Sequence, residues 1–168
     1  MPIDPEEWAT IVDKDDRVIG RARRAEVRAR KLLHRGVAVL VRNSQGEIYV
    51  HRRTPTKDIF PGMYDAFIAG LVPYGESYEE SAYRELKEEL GISGTDIRLL
   101  FKHLYSGAEN PCWNAVFGIV WDGPVVHEAA EIDWGGFVSL DDLDVKMADW
   151  NVVPDGHEIY DRWRGEFA

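Results

Sequence analysis

A mixed α/β fold, with a β-sheet lying between helices, is predicted by three features of the chain. Short apolar runs alternate with turn residues, one well-capped amphipathic helix stands near the middle, and a second helical pattern closes the C-terminal end. With 168 residues and 45% apolar side chains, the chain suits one domain with one core. The expected division is an N-terminal hairpin and arm over 1–33, a core over 34–138 and C-terminal helices over 139–168.

The elements follow in order. Two apolar runs, Trp8 to Val12 and Val18 to Gly20, flank the turn sequence Asp13-Lys14-Asp15-Asp16 and predict a β-hairpin. Arg21 to Leu33, rich in Arg and Ala, reads as a short helix or an irregular arm. Gly36 to Val41 is an almost continuous apolar run, Asn43 to Gly46 supplies turn chemistry, and Glu47 to Arg53 alternates, so two paired strands are expected. A loop over Pro55 to Gly62 leads to a third strand, Met63 to Val72, and then to the turn Pro73-Tyr74-Gly75-Glu76. Ser77 can cap a helix, with Glu80 completing a capping box, and Gly91 can end it. Ala82, Leu86 and Leu90 give that helix its apolar stripe. Strands are expected at Ile97 to Tyr105, Trp113 to Trp121 and Ile132 to Val138. Ser139 caps a short helix, and a final amphipathic helix over Asp155 to Phe167 places Ile159, Trp163 and Phe167 on one side.

The net charge of −10 repels a phosphate backbone and argues against a nucleic-acid polymer as partner. A small anionic ligand would need local help, from a divalent metal held by carboxylates or from Arg and Lys in a cleft. No apolar run is long enough to cross a membrane, and Met1 to Glu7 is acidic rather than signal-like. The lone Cys112 forms no internal disulfide, so a cytoplasmic location is expected.

The chemistry concentrates on the central helix. Glu85, Glu88 and Glu89 stand at i, i+3 and i+4, on one face expected opposite the apolar stripe. Such like charges repel, and hard oxygen donors of this kind suit Mg2+ or Mn2+. An exposed Glu-rich face beside Arg84 and Lys87 would explain the same residues without a metal. The wider spacing favours the metal: Gly70, Glu76, Arg84-Glu85-Leu86, Glu88-Glu89 and Gly91-Ile92 match the Nudix signature at every specified position.

This resemblance implies a Nudix fold and a hydrolase acting on a small organic diphosphate by attack of water at phosphorus. It implies metal ligands at Glu85, Glu88, Glu89 and the carbonyl of Gly70, with Arg84 orienting the glutamates and Glu76 bracing the loop. A general base is expected among Glu85, Glu128 and Glu131, with Glu131 preferred, and His127 reads as a surface histidine. Arg52, Arg53 and Lys57, at a strand end, are candidate phosphate clamps. The stretches Leu33 to Val39 and Arg52 to Asp65 resemble the branch that includes isopentenyl-diphosphate isomerase. However, Ala69 and Leu71 stand where that isomerase has its cysteine and histidine, so His34, matching one of its metal ligands, is left without the rest of that set. A Nudix domain that binds without turnover is the third reading. Tyr105, Trp113 and Phe117 could stack on a base or belong to the core, and Trp150 to Trp163 could cover its own sheet or a second copy, as in a homodimer.

Overall fold

The computed structural model describes residues 4–168; Met1 to Ile3, the tip of the expected N-terminal arm, lie outside the described residues. The hairpin forms as expected, β1 (Trp8–Val12) antiparallel to β2 (Val18–Arg23). Its turn is built by Asp13, whose carboxylate accepts from the N–H groups of Asp15 at 2.9 Å and Arg17 at 3.0 Å. The ambiguous arm resolves into a helix, α1 (Arg24–Arg30), ended by Lys31 at φ 54°, while Arg21 to Arg23 extend the preceding strand.

β3 (His34–Arg42) organises the sheet. It runs parallel to β8 (Cys112–Val120) along its whole length and antiparallel to β6 (Ile68–Leu71), and it touches β1 at Ile11. It meets β4 (Ile48–Arg53) only where Arg42 faces Ile48. The expected hairpin pairing is therefore confined to the turn, because β6 and β8 already take both edges of β3. β4 instead pairs with β9 (Ile132–Val138) and with β5 (Tyr64–Asp65), and β7 (Arg98–Tyr105) pairs with β8. The single strand expected over Met63 to Val72 is thus two: β5 belongs with β4, and β6 crosses to β3.

The pleat of β3 divides the layers. Val37, Val39 and Val41 pack with Ala82, Leu86 and Leu90 of α2 (Tyr78–Leu90), whereas Ala38 and Leu40 pack with Leu143 and Met147 of α3 (Leu140–Asp149) and Ile159 and Trp163 of α4 (Pro154–Glu166). The sheet lies between helices, as expected. Ser77 caps α2 by accepting from the Glu80 N–H at 3.1 Å, and Gly91 ends it at φ 66°. Ser139 caps α3 in the same way. Phe167 falls just past α4 and is 45% exposed, so it stacks on Phe101 at the surface rather than completing the core stripe. Among the described residues no helix is long and apolar enough to cross a membrane.

Candidate active site

Joined at Arg42 and Ile48, β3 and β4 diverge toward His34 and Arg53, and both of those ends line a cavity of about 410 Å³. Its volume is in the range of small-molecule sites. One wall is the glutamate face of α2, with Arg84, Glu85, Glu88 and Glu89 beside Glu76 and Gly70.

That face is more enclosed than an outward glutamate stripe would be. Glu89 is 5% exposed and flanks the buried Leu86 and Leu90, because successive helical residues are only 100° apart rather than opposite. Arg84 organises the group through its guanidinium: Nε donates to both carboxylate oxygens of Glu76, at 3.0 and 3.3 Å, and Nη1 donates to Glu85 at 3.0 Å and Glu88 at 3.1 Å. The Ser81 hydroxyl also donates to Glu76, so the brace is itself held. Glu85 lies directly over Gly70; a Cβ there would stand 2.5 Å from its Cδ. Burial, and after it the charge of Glu88 set against that of Arg84, pushes the Glu85 carboxyl up to about 7. Burial and then the Glu85 charge push Glu89 well above the carboxylate range. One oxygen of Glu89, Oε2, is buried without a hydrogen-bond partner.

A second wall comes from the loop Thr54 to Gly62 and from the start of β9. The loop is tied by Thr54, whose N–H donates to the Glu131 carbonyl at 3.1 Å and whose hydroxyl donates to the Ala130 carbonyl at 3.2 Å. Lys57 reaches the Glu131 carboxylate in a largely buried pair. Its neighbour Asp58 pairs on the other side with Arg24 at 2.8 Å and Arg28 at 3.2 Å. Although burial opposes ionisation, those two guanidinium groups hold Asp58 well below the usual carboxylate range. Val126 and Glu128 donate their N–H groups to the carbonyls of Leu90 and Glu89, which hangs the 126–131 segment on the end of α2.

The structure brings Gly70, Arg84, Glu85, Glu88, Glu89, Arg53, Lys57 and Glu131 to one cavity. Arg52 is the exception: alternation along β4 turns it outward, where its side chain is 42% exposed and Nε donates to Asp133 at 2.7 Å. Arg53 points inward and spends donors on the carbonyls of Phe60 at 3.2 Å and Ile59 at 3.0 Å. Glu128 does not line the cavity, and His127 is exposed. Phe117 is core, and neither Tyr105 nor Trp113 lines the cavity.

Sequence reasoning missed the opposite end of the same cavity, lined by Arg24, Arg28, Asp65, Asn114 and Asp155, which joins them to His34, singled out in the sequence only as a match to one isomerase metal ligand. The i, i+4 spacing of Arg24 and Arg28 was the available signal for the arginines. Asp65, Asn114 and Asp155 gave none, because they stand on separate elements.

The oxygen donors here fit a hard divalent cation: the unpartnered Glu89 Oε2 and the carboxylates of Glu85 and Glu88 line one cavity, with Gly70 directly beneath Glu85. Among the described residues no three donor side chains close into a finished cage, since Arg84 bridges Glu85 to Glu88 and Lys57 holds Glu131.

Comparison with known proteins agrees with this geometry. A family model described as NUDIX domain matches residues 32–162. An uncharacterized Nudix hydrolase of Streptomyces coelicolor is 45% identical over 165 residues, 95% of this chain and 91% of that one. An uncharacterized Nudix hydrolase of Pseudomonas aeruginosa is 42% identical over 127 residues, 76% of this chain and 75% of that one. A crystal structure of a Deinococcus radiodurans protein superposes with a TM-score of 0.82 at 27% identity, covering 93% of this chain and 98% of that one.

Proposed function

The chain belongs to the Nudix hydrolase family, and on that premise we propose that it cleaves the pyrophosphate bond of a small organic diphosphate by attack of water at phosphorus. The observation that carries this reading is the buried, unpartnered Oε2 of Glu89 beside Glu85 and Glu88. A buried carboxylate cluster with an unsatisfied oxygen is costly unless a cation answers it.

Glu85, Glu88, Glu89 and the Gly70 carbonyl would hold Mg2+ or Mn2+. Such an ion, when bound, neutralises the diphosphate, polarises phosphorus and lowers the pKa of a coordinated water. Arg84 fixes the angles of Glu85 and Glu88 by donating to both, and Glu76 fixes Arg84 in turn. Glu131 would serve as the base that accepts the proton of the attacking water, and Lys57, its ion-pair partner, as a cation for a phosphate oxygen. Arg53 adds charge at the same wall. An isomerase reading is disfavoured, since Ala69 and Leu71 line the cavity where acid–base side chains would be required.

The test is incubation of the purified protein with Mg2+ and a panel of nucleoside diphosphate sugars, dinucleotides, coenzymes, nucleoside triphosphates and isopentenyl diphosphate. Cleavage that is lost on chelation and in Glu89→Gln supports the hydrolase. Binding of a panel member to both proteins without product would make the domain a binder instead.

A further inference from the structure

The cavity has a second end, away from the glutamates, and its chemistry is different. Four of its positions are fixed by one stretch of parallel register: His34 stands beside Cys112 and Gly36 beside Asn114. By the alternation of β3 these residues face the same side as Ala38 and Leu40, the side that packs on α4. The first turn of α4 brings Asp155 there, where Oδ2 accepts from Asn114 Nδ2 at 3.5 Å. Gly36 is what makes the approach feasible, since a Cβ at that position would meet Asn114 Oδ1 at 2.6 Å and Cys112 Sγ at 2.7 Å.

Two polar atoms at this end, one on Asp155 and one on His34, stand open as acceptors. Asp155 is almost fully buried, and that burial raises its carboxyl pKa against the opposing charge of Arg53 and the N–H groups of its own helix start; no donor reaches Oδ1. His34 is 2% exposed, and its Nδ1 faces the Leu32 carbonyl at 2.9 Å, so Nδ1 carries the proton. Its Nε2 is then a lone-pair acceptor in the neutral ring. The nearby cations have partners of their own: Arg24 donates to Asp58 and Glu7, Arg28 to Asp58 and Asn110, and Arg53 to two carbonyls. The two buried carboxyl groups lining this end, Asp65 and Asp155, disfavour an anion there, and a purely apolar group would leave the Asp155 oxygen unsatisfied.

We propose that Asp155, His34 and Asn114 form a specificity subsite for the organic part of the diphosphate, recognising an uncharged group with two neighbouring hydrogen-bond donors. A vicinal diol of a sugar and the amino-bearing edge of a base share that chemistry. The proposal rests on the hydrolase reading above only for the statement that this ligand is attached to a diphosphate. Asp155 and His34 touch the ligand far from the reacting phosphorus, so their effect is on selection among substrates.

The test compares wild type, Asp155→Asn and His34→Asn, each checked for an intact melting transition, on matched diphosphates that differ by one donor. One arm pairs ribose with 2′-deoxyribose, and the other pairs an amino-substituted with a keto-substituted base. In the arm that matters, wild type prefers the donor-bearing member, and either substitution lowers that ratio of kcat/KM by about tenfold or more. A second readout needs no turnover: with chelator present, the side-chain amide resonances of Asn114 shift with the donor-bearing nucleoside monophosphate and stay fixed with its matched partner. If wild type cleaves these diphosphates but discriminates in neither arm, or both variants keep its ratios, or the Asn114 amide does not respond, the subsite is overturned. If the Asn114 amide responds as stated while wild type cleaves nothing, the hydrolase reading falls and the subsite stands.

Discussion

Gly70→Ala is expected to damage catalysis far more than folding. Gly70 is not among the glycines at positive φ, so alanine can adopt its backbone without strain. The obstacle is Glu85: the new methyl would stand 2.5 Å from its Cδ and 3.0 Å from its Cγ. Carbon atoms in ordinary contact are about 3.5–4.0 Å apart, so the carboxylate must retreat by about 1 Å. It cannot do so freely, because Arg84 Nη1 holds it at 3.0 Å and the guanidinium is pinned by Glu76. A misplacement of about 1 Å in a catalytic group costs on the order of 100-fold in rate. Overpacking costs about 1–3 kcal/mol, partly offset by the lower entropy of the unfolded alanine chain. For a chain of this length that is a Tm loss of a few degrees, at about 2–4 °C per kcal/mol. The assay is kcat/KM on whichever panel diphosphate wild type cleaves, with Mn2+ binding by calorimetry and a thermal melt alongside. A variant that keeps kcat/KM within about threefold while its melt moves as stated would refute the idea that Glu85 works from its seat on Gly70.

Three further expectations follow from the same geometry. Glu89→Gln should raise the melting temperature of the metal-free protein by a few degrees, about 2–4 °C per kcal/mol, since it removes a buried ionisable group that lacks a partner, while abolishing hydrolysis; a lower metal-free Tm would count against it. Arg84→Lys should lower kcat by about 10- to 100-fold, because one ammonium cannot reach Glu76, Glu85 and Glu88 from a single plane, and steady-state kinetics check this. For Asp16, burial opposes ionisation, but hydrogen bonds from Lys102, Arg35 and Tyr78 outweigh it and lower its pKa below 3.8. A lowered acid contributes stability that is present above the unfolded pKa and fades as pH falls through the folded one. The deficit of Asp16→Asn in thermal melts should thus be steady above about pH 5 and shrink below about pH 4; a deficit that grows with acid would contradict the assignment.

How far the sequence spoke depended on how local the signal was. α2 was legible to the residue at both caps, because Ser77 and Gly91 act within one turn of the helix they bound. The pairing of β3 with β4 was misread because Asn43 to Gly46 specify a turn and nothing more; which strands take the two edges of β3 is decided by β6 and β8, distant in sequence. Arg52 and Arg53 were equally basic on paper, and the period of the strand, applied to the pair, would have separated them. The glutamate wall was readable because four of its members occupy one helix. Asp155 was seen only as the start of a helix, since its meeting with Asn114 is a tertiary event.

The loop from Thr54 to Gly62 ties two distant groups together through adjacent residues. Lys57 holds Glu131 at one wall, and Asp58 holds Arg24 and Arg28 of α1 at the other. Whatever binds at Glu131 and displaces Lys57 acts on the same short stretch of chain that α1 anchors. Thermodynamic reciprocity then requires that any strengthening of the Asp58 anchor felt as a changed affinity at Glu131 be matched by an equal change of the anchor when Glu131 is engaged. The N-terminal helix thus bears on the cavity twice, directly through Arg24 and Arg28 in its lining and indirectly through the stretch of chain that carries Lys57 to Glu131.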